Sequence, residues 1–413
     1  MWLMRWMLAI RASVLAAGRR TLLRLTGRRA LPQAWSPPAG EHSVGVRDAV
    51  VSGIGPAATD GVIRVWYPAL KGTGAAPRAY FGGVDEQEGM VRGLRPLLSA
   101  SGARALGSRR TASHPDATPV GDGSPVVVFS HGFTGFVGQN THLCEHLAAA
   151  GYVVVSVAYP GAAAAIVAPD GAVRVMTRAE RRRLTSDEFV RTMLALLTAR
   201  SIAEEDEALE RATGVDSLAA ENARWTRHLS AVLDALLQAE SRPGRVDAAT
   251  ARVLDGADWS RLALVGMSFG GSTSANVAQA DQRVAAVVNL DGLQQGQELW
   301  QSDVRVPTLM MSSAGSLLRS GRTVNELHYR APGSQAPVHR VLVPDARHFA
   351  FTDLVEFGSG PVRRLLDLGT VDPGRMLALV ADTTLAFLDA ALRRPDPVGG
   401  RAGQSRENGE GEA

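Results

Sequence analysis

Six short runs in this 413-residue chain are apolar almost throughout, and they set the fold class. "VVVFS" (126–130), "YVVVSVA" (152–158), "LALVG" (262–266), "VAAVVNL" (284–290), "VPTLMMS" (306–312) and "HRVLVP" (339–344) lack the strict apolar/polar alternation of a strand with one wet face. Continuous runs of this length fit strands covered on both faces. Helical patterns lie between or after them. "THLCEHLAAAG" (141–151) is stopped by Gly151, and "GSTSANVAQA" follows the 262–266 run. Asp372 and Pro373 open a helix in which Leu377, Val380, Ala381, Leu385 and Leu388 recur at helical spacing. Strands alternating with helices predict an α/β fold, a mostly parallel central sheet flanked by helices. Upstream, "SVGVRDAVVS" and "GVIRVWYPAL" read as two further strands, and 71–123 as loops with one helix near 84–99.

One connection is far longer than a crossover needs. About 100 residues separate the strand ending near Ala158 from the one starting at Leu262. Trp225, Leu229, Val232, Leu233, Leu236 and Leu237 share one helical face and predict the crossover helix. Residues 161–220 are then an insertion, expected to lie over the carboxyl edge of the sheet as a helical cap or lid. Its Arg181–Arg183 run reads first as a solvated helix face and second as an anion contact.

The ends differ from the body. Residues 1–40, an apolar segment plus linker, hold seven Arg and no Asp or Glu, which leaves 37 basic against 41 acidic residues in the rest. A body of that balance is not built for nucleic acid. Arg11 interrupts the apolar run, and no stretch is long and uncharged enough to predict a transmembrane helix. The segment is read as a membrane-surface or export element in preference to a cytoplasmic extension. The hydrolytic body is expected over 41–393, with a disordered tail over 394–413. The single Cys144 excludes an intrachain disulfide and a cysteine zinc site. No metal or cofactor is called for, and nothing here sets the oligomeric state.

The chemistry is concentrated at "ALVGMSFGGSTSA" (263–275). An apolar strand runs into a Gly-rich turn and then a helix of small residues, the context of a nucleophile elbow, with Ser268 as nucleophile. Gly266 and Gly270 allow close backbone approach. A serine hydroxyl needs a base. Only His328, His339 and His348 lie downstream of Ser268, and His348 stands just past the end of a strand. His339 opens that strand and His328 precedes it, so His348 is the expected base. The expected acid is Asp291, at the carboxyl end of "VAAVVNLDG". The loop after the next strand, "MSSAGSLLRSGRTVN", has no carboxylate before Glu326. Asp345 and Asp353 compete but are close to His348 in sequence. Two N–H groups should form the oxyanion hole: that of Phe269, and that of Phe133 in "SHGFTG", where Gly132 permits the turn. His131 is read as holding that loop.

Taken together, "YPAL", "SPVVVFSHGFTGF", "LALVGMSFGGST", "DQRVAAVVNLDG" and "RHFAFTDL" resemble one branch of the α/β-hydrolases, the plasma and type II intracellular platelet-activating factor acetylhydrolases. The likeness runs loosely over 42–392. It implies an α/β-hydrolase fold and metal-independent hydrolysis of short or oxidised sn-2 acyl groups on phospholipids. It also implies Ser268, His348 and Asp291 as nucleophile, base and orienter, with the Phe133 and Phe269 N–H groups as oxyanion hole. Met267 stands where that family often has His, and Gly292–Leu293 where it has a small residue and Trp. The alternatives are a carboxylesterase or polyester hydrolase acting on other esters, and a catalytically silent fold that binds a ligand or partner.

Overall fold

The computed structural model describes residues 37–392, apart from 56–57, 96–98, 122, 183–185, 239–243, 301, 331–332, 334–335 and 358–359. The apolar Arg-rich segment up to residue 36, the tail from 393 and Arg183 lie outside the described residues.

Two long strands come first, β1 (Ser43–Ile54) and β2 (Thr59–Ala69), paired antiparallel. Helices α1 (Val84–Leu94) and α2 (Ala100–Gly107) and a short β3 (Ser113–Pro115) follow. The chain then enters β4 (Ser124–Ser130), α3 (Thr141–Ala149) and β5 (Val153–Val157). A small hairpin of β6 (Ala165–Val167) and β7 (Val173–Val175) leads to α4 (Arg178–Arg182), α5 (Asp187–Thr198), α6 (Ile202–Thr213), α7 (Asp216–Leu237) and α8 (Ala248–Asp255). The second half is β8 (Ala257–Met267), α9 (Phe269–Ala280), β9 (Val284–Leu290), β10 (Thr308–Ser313), β11 (Val338–Val343), α10 (Gly360–Leu365) and α11 (Pro373–Leu392).

The main sheet has nine strands in the order β11-β10-β9-β8-β4-β5-β2-β1-β3. From β11 to β5 every neighbouring pair is parallel; β5 meets β2 antiparallel. The apolar runs explain the layering. In β4, Val127 and Phe129 pack with Leu143 and Leu147 of α3 and with Val380 and Leu388 of α11. Val126 and Val128 face the other way, among Trp225, Leu229 and Val232 of α7 and Val277 of α9. Each face is covered by helices, so both sets of side chains lose water and neither can be polar.

Three expectations need correction. The helix expected near 84–99 ends at Leu94, and a second helix starts at Ala100. Ser99 takes extended backbone and its hydroxyl accepts from Gly102 N at 3.0 Å, capping α2 as a new start. The crossover helix is also longer than its apolar stripe. It begins at Asp216, inside the span read as insertion, because the earlier turns bury fewer apolar residues and so show less periodicity. Arg181 is not simply solvated: its guanidinium donates to Gly93 O at 2.9 Å, tying α4 to the end of α1.

Candidate active site

The carboxyl ends of β4, β8, β9, β10 and β11 converge on one pocket, as expected where parallel strands deliver their loops to a common edge. Ser268 forms the turn between β8 and α9 with φ 57° and ψ −124°, a conformation that costs an L-residue free energy. Its surroundings hold it there. Ser268 N donates to Leu290 O at 2.8 Å, and Gly271 N donates back to Ser268 O at 2.9 Å. The turn closes so tightly that a Cβ on Gly266 would lie 2.2 Å from Gly270 O, and one on Gly270 would lie 2.2 Å from Ser130 O. Side chains are excluded at both positions because two backbones already occupy the space.

His348 opens a 3-10 turn, His348–Phe351, just past β11, and is buried. Its Nε2 lies 2.9 Å from Ser268 Oγ and its Nδ1 2.8 Å from Asp291 Oδ2. With Nδ1 protonated and donating to the carboxylate, Nε2 is left to accept from the hydroxyl.

Asp291 follows β9 with a left-handed φ of 55°. Asp291 N donates to Met311 O at 2.8 Å, which fixes the turn against β10. The carboxylate takes further donors from the end of β10 and the loop after it: Ser313 N (2.7 Å) and Ser316 Oγ (2.6 Å) on Oδ1, and Ser313 Oγ (2.9 Å) on Oδ2. With His348 that makes four donors, matching the lone pairs of an ionised carboxylate.

The rival groups are placed elsewhere. His131 is buried with Nδ1 2.7 Å from Gly132 O, and its ring packs edge-on to Tyr159 and Trp225. Burial pushes its pKa down to about 4. His328 packs against Trp300 and His339 against Phe387. Neither lines the pocket that holds Ser268. Asp345 is exposed. Asp353 is buried and accepts from His142 N at 3.4 Å, and burial pushes its carboxyl up to about 8. Asp367, absent from the sequence reading, lies near His348: its backbone O accepts from Phe349 N at 3.3 Å, and its carboxyl, which feels the His348 charge, is raised above its ordinary range by burial.

On the oxyanion side, a Cβ on Gly132 would lie 3.2 Å from Ser268 Cβ, so the loop after β4 passes directly over the elbow. Its N–H groups are mostly committed: Gly132 N to Gln139 Oε1 (3.0 Å), Thr134 N to Ala162 O (2.8 Å), Gly135 N to Gly132 O (2.8 Å). The Phe133 N–H has no partner among the described residues. Phe269 is the first residue of α9, so its N–H has no partner within the helix. Two uncommitted donors beside a serine hydroxyl can stabilise a tetrahedral oxyanion. Gln139 was not legible as a functional residue, yet it organises this loop. Its neighbour Asn140 donates to Phe351 O at 2.7 Å, and Gln139 O accepts from Asp353 N at 3.3 Å, which joins the loop to the His348 turn.

Above these groups is a cavity of about 400 Å³. Its walls are mainly apolar: Phe133 and Phe136 from the β4 loop, Leu196 from α5, Leu218 from α7, Leu317 after β10 and Phe349 beside the base. The long excursion between β5 and β8 therefore forms part of the pocket wall.

A ferulic acid esterase from Streptomyces cinnamoneus superposes with a TM-score of 0.64 at 24% identity, over 90% of this chain and 97% of that one. A dienelactone hydrolase-like promiscuous phosphotriesterase from metagenomic libraries gives a TM-score of 0.44 at 14% identity, over 84% of this chain and 99% of that one. No curated protein matches the chain. The first likeness establishes the fold, an α/β-hydrolase. The family described as platelet-activating factor acetylhydrolase, isoform II, matches residues 30–397, a span that contains the whole hydrolase body, and the chain belongs to that family.

Proposed function

We propose that the protein is a serine ester hydrolase working through an acyl-enzyme, with Ser268, His348 and Asp291 as nucleophile, base and orienter. Family membership supports ester hydrolysis. The observation that carries the serine mechanism is the unbroken chain from Asp291 Oδ2 to His348 Nδ1 (2.8 Å) and from His348 Nε2 to Ser268 Oγ (2.9 Å).

In the first step His348 takes the Ser268 proton as Oγ attacks the ester carbonyl carbon. The carbonyl oxygen becomes an oxyanion held by the Phe133 and Phe269 N–H groups. His348 then protonates the leaving alkoxide, and the acyl-enzyme remains. Water, deprotonated by His348, attacks the acyl carbon, and Ser268 regains its proton as the acid leaves. Asp291 keeps the imidazole in the working tautomer and stabilises its cation throughout, without taking the proton.

The substrates we propose are phospholipids with a short or oxidised sn-2 acyl group. The mainly apolar cavity supports this, since about 400 Å³ is within the range that receives small ligands. The same size favours the second reading, a carboxylesterase acting on small soluble esters or polyester ends. We further propose that residues 161–220 serve as a cap that selects what enters, since Met193, Leu196 and Leu218 contribute to the wall.

A fluorophosphonate probe should label the wild type and leave Ser268→Ala unlabelled; a wild type that resists the probe would remove the serine mechanism. Rates on 1-alkyl-2-acetyl phosphocholine lipid and on p-nitrophenyl butyrate separate the two substrate readings. Turnover of the soluble ester alone would eliminate the phospholipid assignment.

A further inference from the structure

The cavity wall is apolar on most sides, and Arg319 is the single Lys or Arg among the described residues that line it. Arg319 sits on a tight turn after β10, exposed at the cavity rim. Gly321 N donates to Leu318 O at 3.1 Å and Leu318 N to Arg322 O at 2.7 Å, which closes the turn. Its neighbour Arg322 is already paired, with Glu205 at 3.1 Å and Asp206 at 2.8 Å. No carboxylate or carbonyl among the described residues engages the Arg319 guanidinium.

An unpaired surface Arg is ordinary. This one differs in two respects. First, its turn is held in place: Glu205 of α6, 2% exposed, accepts from Ser320 N (2.9 Å), Ser320 Oγ (2.5 Å) and Arg322 Nη2 (3.1 Å). A buried carboxylate with three donors fixes the turn against the helices over the pocket. Second, Arg319 lines the same cavity as Ser268. Gln295, 2% exposed, lines the same cavity, and its Oε1 has no partner among the described residues. An apolar chamber with a few convergent polar groups reads as a site that orients one end of its ligand. A fork of guanidinium N–H donors at the rim suits phosphate or carboxylate oxygens.

We infer that Arg319 is a specificity-determining residue that receives an anionic group, phosphate or carboxylate, carried by the ester. The inference rests on the serine ester hydrolase reading and names the substrate class within it: esters bearing a negative group at the end remote from the scissile bond. The acyl chain lies against the apolar wall and the anion at the rim.

The test compares wild type, Arg319→Ala, Arg319→Lys and Arg319→Glu on three esters: neutral p-nitrophenyl butyrate, p-nitrophenyl hemiglutarate as the carboxylate, and 1-alkyl-2-acetyl phosphocholine lipid as the phosphodiester. Arg319→Ala should lose ~10- to 100-fold in kcat/KM on at least one anionic ester, the size of a charge-assisted contact, with p-nitrophenyl butyrate unchanged within about twofold. Arg319→Lys should recover part of the loss and Arg319→Glu deepen it. Loss confined to the hemiglutarate identifies a carboxylate ligand, and loss confined to the lipid identifies a phosphate. Equal effects on neutral and anionic esters, or none on either, overturn the inference while leaving ester hydrolysis in place. Calorimetric binding of monobutyl glutarate to Ser268→Ala and to Ser268→Ala/Arg319→Ala gives a readout free of turnover. At least tenfold weaker binding by the double variant is expected for monobutyl glutarate or for 1-alkyl-2-acetyl phosphocholine lipid titrated in the same way, and equal affinity for both overturns the assignment even if no ester is hydrolysed.

Discussion

Ser316 Oγ donates to Asp291 Oδ1 at 2.6 Å across the gap between two neighbouring strand ends. The carboxylate comes from the end of β9, while the end of β10 and the loop after it supply hydroxyl and N–H donors to it. Acid and support have thus been divided between adjacent loops.

Removing that support should weaken catalysis without abolishing it. Ser316→Ala and Ser313→Ala each delete one hydroxyl donor to Asp291. Each should lower kcat roughly 5- to 30-fold, at ~1–2 kcal/mol per charge-assisted hydrogen bond. Asp291→Asn, which invites the wrong His348 tautomer, should cost about 10⁴-fold. Steady-state kinetics on p-nitrophenyl butyrate orders the three; a serine variant as damaged as Asp291→Asn would contradict the division of labour.

Gln139→Ala frees Gly132 N and loosens the loop that carries Phe133. The expected pattern is a fall in kcat of about tenfold or more with KM little changed, because an oxyanion contact acts in the transition state more than in the bound substrate. A change in KM alone would place Gln139 in substrate binding instead.

Substitutions at the elbow should fail in a different way. Gly266→Ala and Gly270→Ala each place a methyl 2.2 Å from a carbonyl oxygen of packed backbone, where no flexible side chain can give way. We expect more than about 2 kcal/mol of lost stability, or no soluble protein, from either. Gly321→Ala is a useful contrast. A Cβ there meets nothing within 4 Å, and its φ of 85° is the only penalty.

The buried Asp353 carboxyl predicts a stability slope. Burial raises its pKa to about 8, so the folded state holds its proton when the unfolded state has released it near 3.8. Stability from this group is therefore full below about pH 4 and declines as pH rises towards 8. Glu145, raised by burial to about 7, acts in the same direction. Buried His131 and His142, both lowered by burial to about 4, oppose the trend only below their unfolded value of 6.5. Between pH 6.5 and 8 the carboxyls should dominate, and Tm should fall. Asp353→Asn should flatten that fall, as read by thermal melts across the window; an unchanged slope would show that Asp353 does not titrate there.

Much of this site is local in sequence. Ser268 announces itself because an elbow needs glycine on both sides of a strained residue. His348 follows from standing just beyond β11, and Asp291 from ending β9 without an intervening loop. Their meeting is a matter of register: Gly266 pairs with Asn289, Leu290 with Met311 and Met311 with Val341, which brings four strand ends level. The parts that escaped notice have no periodic signature. Ser313, Ser316 and Gln139 are common loop residues whose partners lie far off in the chain. Asp367 reaches the base from 19 residues downstream, after a helix. Arg319 is one of many arginines, and only its place on the cavity rim distinguishes it. The break between α1 and α2 was hidden because a capping serine looks like any other until its hydroxyl finds Gly102 N.

The bonds from Gln139 and Asn140 to the His348 turn have a consequence for how such a chain tolerates insertions. They staple the oxyanion loop, the start of α3 and the 348–353 turn into one frame. A residue added between Val343 and His348 would strain those staples and disturb proton transfer and oxyanion binding together. A residue added at Asp170–Gly171, on the tip of the β6–β7 hairpin, would strain neither. New loop length, and with it new substrate preference, can accumulate in the excursion after β5 while the frame beneath keeps its dimensions.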